Sequence, residues 1–254
     1  MGPSKLRQAN FTSLIIDIII VNTRKMDTFK DPKRRISIKL WFVKTTILFF
    51  AFFLIKLKEI KNLPKEGPFI VAANHLSHVD PLLVSAYVIH ATKRYLHFFA
   101  ALKYRWNPLF RFLVEVTESI WADSKSGRQS MLVALEYLKH GANVGILPEG
   151  TRSPDGKIKK GKNGVAALAL TSKVPLVPIG IINTHKVLPR GGWHLHPTRG
   201  EVILGKPMKF DAYYQAYDKA LDQDDKERLN EVEESVLREI MREIAKLSRQ
   251  EYPY

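Results

Sequence analysis

The side chains of this sequence best equipped for chemistry lie in one short stretch, Asn74-His-Leu-Ser-His-Val-Asp80, followed directly by Pro81. Histidine is the side chain that takes up and releases a proton near neutral pH. A carboxylate a few residues on can turn back and accept a hydrogen bond from one ring nitrogen. That fixes the tautomer and leaves the other nitrogen as a general base. His75 is therefore the expected base and Asp80 its orienting partner, while His78 is expected to be structural. A second stretch, Pro148-Glu-Gly-Thr-Arg-Ser-Pro154, carries different equipment. The planar fork of Arg152 matches a phosphate, Gly150 permits close backbone approach, and Glu149 can orient Arg152 or a bound hydroxyl. No serine stands in a Gly-x-Ser-x-Gly setting. A bound hydroxyl activated by His75 is then a more economical nucleophile than a side chain of the protein.

For these residues to act together, the fold must bring both stretches to one edge. Residues 68–73 form a short apolar run that predicts a buried strand. Asp80, Pro81 and the apolar residues 82–89 predict an N-cap, a proline at the first helical position, and a helix. His75 would then sit at the carboxyl end of a strand, where open α/β sheets place their ligands. Residues 143–148 predict another strand, which runs straight into Glu149. Strands are also expected over residues 97–101, 119–122, 174–182 and 201–204. Helices are expected over 106–114, 125–140 (capped by Ser124 and ended by Gly141) and 165–170, with a turn at Asp155-Gly156. Apolar residues at Leu229, Val232, Val236, Ile240, Ile244 and Leu247 predict a final amphipathic helix. This alternation predicts an α/β fold, a central mostly parallel sheet flanked by helices.

The 254 residues carry a formal net charge of +15, which favours polyanions such as nucleic acid, anionic lipid or phosphorylated substrates. Cysteine is absent, which excludes disulfides, thiolate zinc sites and a cysteine nucleophile. Residues 1–60 hold 12 Lys/Arg against 4 Asp/Glu. They also contain two apolar runs, 11–21 and 40–55, interrupted by Asp17 and Lys44. Each falls short of the ~20 residues a membrane span needs. A long helix is expected from Asp31-Pro32 to about Glu59, carrying Phe49, Phe50, Phe52 and Phe53. Two short apolar helices joined by a basic turn (Lys33, Arg34, Arg35) suit embedding in one leaflet. The expected organisation is a membrane-embedding appendage over 1–60 and an α/β domain over 61–254, without a signal peptide.

His75, four intervening residues and Asp80, followed later by Glu149-Gly150-Thr151-Arg152-Ser153, resembles the glycerophospholipid acyltransferases. Among these the likeness is to the bacterial 1-acyl-sn-glycerol-3-phosphate acyltransferases (PlsC type), over about residues 63–205. The resemblance implies transfer of a fatty acyl group from an acyl carrier protein or coenzyme A thioester to the 2-hydroxyl of lysophosphatidic acid. It implies that His75 and Asp80 do this without an acyl-enzyme, a cofactor or a metal. It further implies a monotopic protein on the cytoplasmic face of the inner membrane, with anionic lipid and no nucleic acid as partner. The matching Lys103 and Pro108, Lys162 and Gly164, and residues 174–178 extend the likeness. The implied substrate-binding set is Asn74, Lys103, Glu149, Gly150, Thr151, Arg152 and Lys162.

One stretch departs from the family pattern. Where the family carries Gly-x-Ile-x-Ile-Asp-Arg, this chain has Glu118-Ser-Ile-Trp-Ala-Asp-Ser124, so Glu118 replaces the Gly and Ser124 the phosphate-binding Arg. Lys103, Lys125 or Arg128 could supply that charge. Three other readings compete. Glycerol 3-phosphate or another lysophospholipid could be the acceptor. A metal-dependent hydrolase could use His75, His78 and Asp80, although no third histidine has ligand spacing. Charge alone would allow a nucleic-acid binder, but the basic residues stand beside Phe-rich apolar segments, which suits a bilayer better.

Overall fold

Short runs of Ile, Val, Leu and Ala, buried along nearly their whole length, form the middle of one sheet covered by helices on both faces. The structure, a computed structural model, describes residues 55–117, 119–122, 127–187, 196 and 198–254. In chain order the elements are β1 (Ile55–Lys58), β2 (Ile70–Ala73), α1 (Asp80–Thr92), β3 (Leu96–Ala101), α2 (Pro108–Thr117) and β4 (Ile120–Ala122). They continue with α3 (Gly127–Lys139), β5 (Asn143–Ile146), α4 (Gly164–Ser172), β6 (Leu176–Ile182) and α5 (Thr184–Val187). The last are β7 (Gly200–Leu204), α6 (Asp211–Asp222) and α7 (Lys226–Leu247).

The strand order is β1-β7-β6-β2-β5-β3-β4. β2 lies in the centre, with Ile70 opposite Val144 of β5 on one side and Leu176 of β6 on the other, both parallel. β3 and β4 extend the parallel sheet beyond β5. β7 runs antiparallel to β6, and β1 runs parallel to β7. The expected α/β architecture, mostly parallel with flanking helices, is thus present. On one face Val71, Ala73, Ile179 and Ile181 pack with Leu83, Val84 and Val88 of α1. On the other lies α7, with Val236, Ile240, Met241 and Ile244 buried at helical spacing. Its C-terminal end rests directly on β6: a Cβ at Gly180 would fall 2.4 Å from the Leu247 carbonyl carbon. No side chain fits there.

Three expectations need correction. Residues 55–58 are a strand, not the end of a long helix. Ile-Lys-Leu-Lys alternates with period two, Ile55 is buried, and Lys58 pairs with Glu201 of β7 at 2.7 Å. Glu59 then takes a left-handed conformation (φ 58°), which ends the strand. The helix expected over 106–114 begins two residues later, because Asn107 caps it: its Oδ1 accepts the Phe110 N–H at 3.2 Å, with Pro108 in the first turn. Asp80 is the third case and belongs to the site. The rest of the expected appendage, residues 1–54, lies outside the described residues, as do Glu118, Ser124, Lys125 and the side chain of Arg128. Among the described residues no helix is long and apolar enough to cross a membrane.

Candidate active site

β2 ends at Ala73, and the next residue fixes how the chain leaves the sheet. Asn74 is fully buried; its amide donates to the Ile181 carbonyl at 2.9 Å, and its Oδ1 accepts the Ile181 N–H at 2.7 Å. It extends the β2–β6 pairing by one side chain. Both polar side-chain atoms of Asn74 face backbone, so it shapes the turn that carries His75.

Asp80 is the first residue of α1 rather than its cap; Val79 holds the cap position and Pro81 follows inside the first turn. Its carboxylate turns backward. Oδ2 accepts the Leu76 and Ser77 N–H groups at 2.7 Å each and lies 3.1 Å from His75 Nδ1. Oδ1 accepts the Thr184 hydroxyl at 2.7 Å. Asp80 and Thr184 are fully buried. Four donors converge on one carboxylate, so it holds the 75–77 turn and the imidazole in a single arrangement. The His75 ring is 14% exposed and lines a cavity of about 1020 Å³. With Nδ1 facing Asp80, Nε2 is the nitrogen left for chemistry.

The second stretch braces the first. Glu149 Oε1 accepts the His75 N–H at 3.0 Å, and the Ser153 N–H donates to the His75 carbonyl at 2.8 Å. Glu149 thus orients the histidine's backbone. Its Oε2 is buried without a partner. Burial pushes the Glu149 carboxyl up to about 7, against the pull of the His75 N–H and the Lys159 charge. Gly150 sits at φ +68°, and a Cβ there would lie 3.1 Å from Lys162 Nζ. Lys159 Nζ donates to the Thr151 carbonyl and hydroxyl at 2.6 Å each and to the Arg152 carbonyl at 3.1 Å. This lysine locks the loop, and the sequence reading missed it, as it missed Thr184. Thr184 had a topological signal. β6 neighbours β2, so residues leaving β6 must stand beside residues leaving β2.

Thr151, Arg152, Lys103 and Lys162 stand on the cavity wall with His75. Lys103 Nζ lies over the Tyr104 ring, 4.9 Å from its centre. The cavity runs on between apolar side chains, among them Phe98, Phe99, Trp121, Met131 and Leu168. His78 packs edge-on against Phe110 and Tyr104, at 4.9 and 6.2 Å between ring centres. Among the described residues no group of three or more His, Asp and Glu is gathered as metal ligands.

Two outcomes follow. Thr184→Val should lower kcat by about tenfold with little change in KM, since a hydrogen bond to a buried charge contributes ~1.5–3 kcal/mol. Thr184→Ser should restore most of the loss; a valine variant with wild-type turnover would remove Thr184 from the assembly. For Glu149, an acid whose pKa is raised by folding costs nothing below its ordinary range near 4.5 and destabilises the fold as pH rises toward 7. Glu149→Gln mimics the protonated acid. It should be more stable than wild type by up to about 3 kcal/mol near pH 8, the gap closing as pH falls toward about 4.5. Thermal unfolding at both ends of that window checks this; a gap independent of pH would contradict it.

The family model described as Acyltransferase matches residues 54–182, just over half of the 254 residues. A chloroplastic 1-acyl-sn-glycerol-3-phosphate acyltransferase of Arabidopsis thaliana is 28% identical over 187 residues, 70% of this chain and 50% of that protein. A 1-acyl-sn-glycerol-3-phosphate acyltransferase of Pseudomonas aeruginosa is 28% identical over 160 residues, 60% of this chain and 58% of its own length. The chain thus spans little more than half the length of these curated relatives. The crystal structure of the 1-acyl-sn-glycerophosphate (LPA) acyltransferase PlsC from Thermotoga maritima shares the fold. Its TM-score is 0.55 at 24% identity, covering 89% of this chain and 92% of that one.

Proposed function

This chain belongs to the acyltransferase family, and we propose that it moves a fatty acyl group from a thioester to the 2-hydroxyl of lysophosphatidic acid. The observation that carries this reading is His75 Nδ1 held 3.1 Å from a buried Asp80, with the ring on a cavity lined by both cationic and apolar side chains. Such a cavity suits an acceptor with a phosphate at one end and an acyl chain at the other. The relatives' names point the same way.

In this mechanism His75 Nε2 takes the hydroxyl proton as the acceptor oxygen attacks the thioester carbonyl. The tetrahedral intermediate collapses, the C–S bond breaks, and the imidazolium returns the proton to the departing sulfur. Asp80 stabilises the imidazolium in between. Arg152 and Lys162 hold the phosphate, with Lys103 as a further cation at the wall; coenzyme A or an acyl carrier protein supplies the thioester. No protein nucleophile takes part. The basic and apolar runs ahead of β1 support a protein held at the cytoplasmic face of a membrane.

The test compares lysophosphatidic acid with glycerol 3-phosphate as acceptor for one donor thioester. Phosphatidic acid should form at a kcat/KM at least about tenfold above acylation of glycerol 3-phosphate, the difference that an apolar contact of ~1.4 kcal/mol supplies. The reverse preference would transfer the reading to a glycerol-3-phosphate acyltransferase. Arg152→Ala should raise the KM for lysophosphatidic acid by about tenfold or more and leave that of the thioester nearly unchanged. Equal effects on both substrates would send the phosphate elsewhere.

A further inference from the structure

Among the described residues four large apolar side chains are exposed, and three of them, Leu102, Trp106 and Phe112, fall within eleven consecutive positions. Trp106 is 91% exposed. The same stretch, Leu102-Lys-Tyr-Arg-Trp-Asn-Pro-Leu-Phe-Arg-Phe112, contains Lys103, Arg105 and Arg111 and no acidic residue. We propose that residues 102–112 are a docking surface for an anionic lipid bilayer, placed at the mouth of the catalytic cavity.

The segment is built to present these side chains. The Arg105 N–H donates to the Leu102 carbonyl at 3.0 Å and the Asn107 N–H to the Tyr104 carbonyl at 3.1 Å. Asn107 caps α2 immediately after. Beneath, Tyr104 stacks on Phe110 at 4.6 Å between ring centres, and His78 meets Phe110 edge-on. These inner rings and Lys103 line the cavity, while Leu102, Trp106 and Phe112 do not. One side of the segment therefore faces the cavity beside the His75–Asp80 turn, and the other holds a tryptophan in solvent.

Exposed apolar side chains grouped in this way mark an interaction surface. Tryptophan flanked by Lys and Arg suits the headgroup level of a membrane, where an amphipathic ring and positive charge are both satisfied. The charge also decides among occupants. A second copy would bring its own Arg105 and Arg111 to the same face. Residues 40–55 of this chain are apolar, with Lys44 as their one charged residue. Neither supplies the anionic complement that a bilayer of acidic lipids supplies. A lipid acceptor leaving such a surface would meet the cavity wall at once. This last step rests on the reading above; the docking surface itself does not.

The absence of cysteine makes the test direct. The full-length chain with Trp106→Cys, carrying one environment-sensitive fluorophore, is titrated with vesicles of phosphatidylcholine alone or with phosphatidylglycerol. The expected result is a blue shift on the anionic vesicles and quenching by lipids brominated near the headgroup. The same probe at Asp222→Cys, on the exposed end of α6, should remain solvent-like. Arg105→Ser and Arg111→Ser should each raise the lipid concentration for half-maximal response about fivefold. Three results would overturn the proposal: no shift on anionic vesicles to which the chain has bound; a probe already shifted before lipid is added, as when protein covers the patch; or titrations unmoved by either arginine. Turnover is not read, so a negative result leaves the acyltransferase reading standing.

Discussion

His75→Ala is expected to abolish acyl transfer in a protein that remains folded. His75 stands on the cavity wall with a buried carboxylate at Nδ1, so its loss removes the proposed general base. A positioned general base contributes about 10²–10⁴-fold, and any residual rate would come from holding the two substrates together. The fold should survive, because the 75–77 turn keeps the Leu76 and Ser77 N–H bonds to Asp80 and the backbone bonds from His75 to Glu149 and Ser153. Circular dichroism and thermal unfolding test that half of the expectation; steady-state rates test the other. A folded alanine variant with near wild-type turnover would remove His75 as the base.

Asp80→Asn should be nearly as severe, lowering kcat by about 10³–10⁴-fold, the scale on which an orienting carboxylate acts in other nucleophile-activating sites. The amide keeps the size of the side chain but has one acceptor oxygen in place of two. It cannot meet His75 Nδ1, the Leu76 and Ser77 N–H groups and the Thr184 hydroxyl in the arrangement seen here. It also lacks the negative charge that stabilises an imidazolium. KM values should move little, which separates this outcome from a collapsed site. A drop of less than about tenfold would reduce Asp80 to a structural cap for the turn, since a neutral hydrogen bond of ~1 kcal/mol would then suffice.

The His75–Asp80 pair could be read from the chain because both residues lie on one strand–helix junction, and local pattern is what a sequence carries most plainly. The groups that complete the site come from far along the chain. Thr184 is 104 residues from Asp80, Glu149 is 74 from His75, and Ile181 is 107 from Asn74. Only the order of strands brings them together, and no local spacing announces it. Lys159 was hidden differently, in the basic run Lys157-Ile-Lys-Lys160, where nothing distinguishes the lysine that turns back onto Thr151. β1 was misread as helix because an apolar run of sixteen residues, 40–55, ends on its first residue and masks its period of two. Its partner strand β7 begins at Gly200. α6 was overlooked altogether, having only Tyr217 and Ala220 buried and so a narrow apolar stripe.

The central claim is that the acceptor hydroxyl attacks the thioester directly, with His75 as base and no acyl group passing through the protein. A single-turnover experiment tests it most directly. Enzyme in excess is mixed with a thioester labelled in its acyl group, lysophosphatidic acid is withheld and then added, and protein-bound and lipid-bound label are followed separately. The mechanism predicts no label on the protein before the acceptor arrives, then label in phosphatidic acid in one phase that is lost in His75→Ala. Acyl-protein formed before the acceptor is added, and discharged onto it afterwards, would contradict the account.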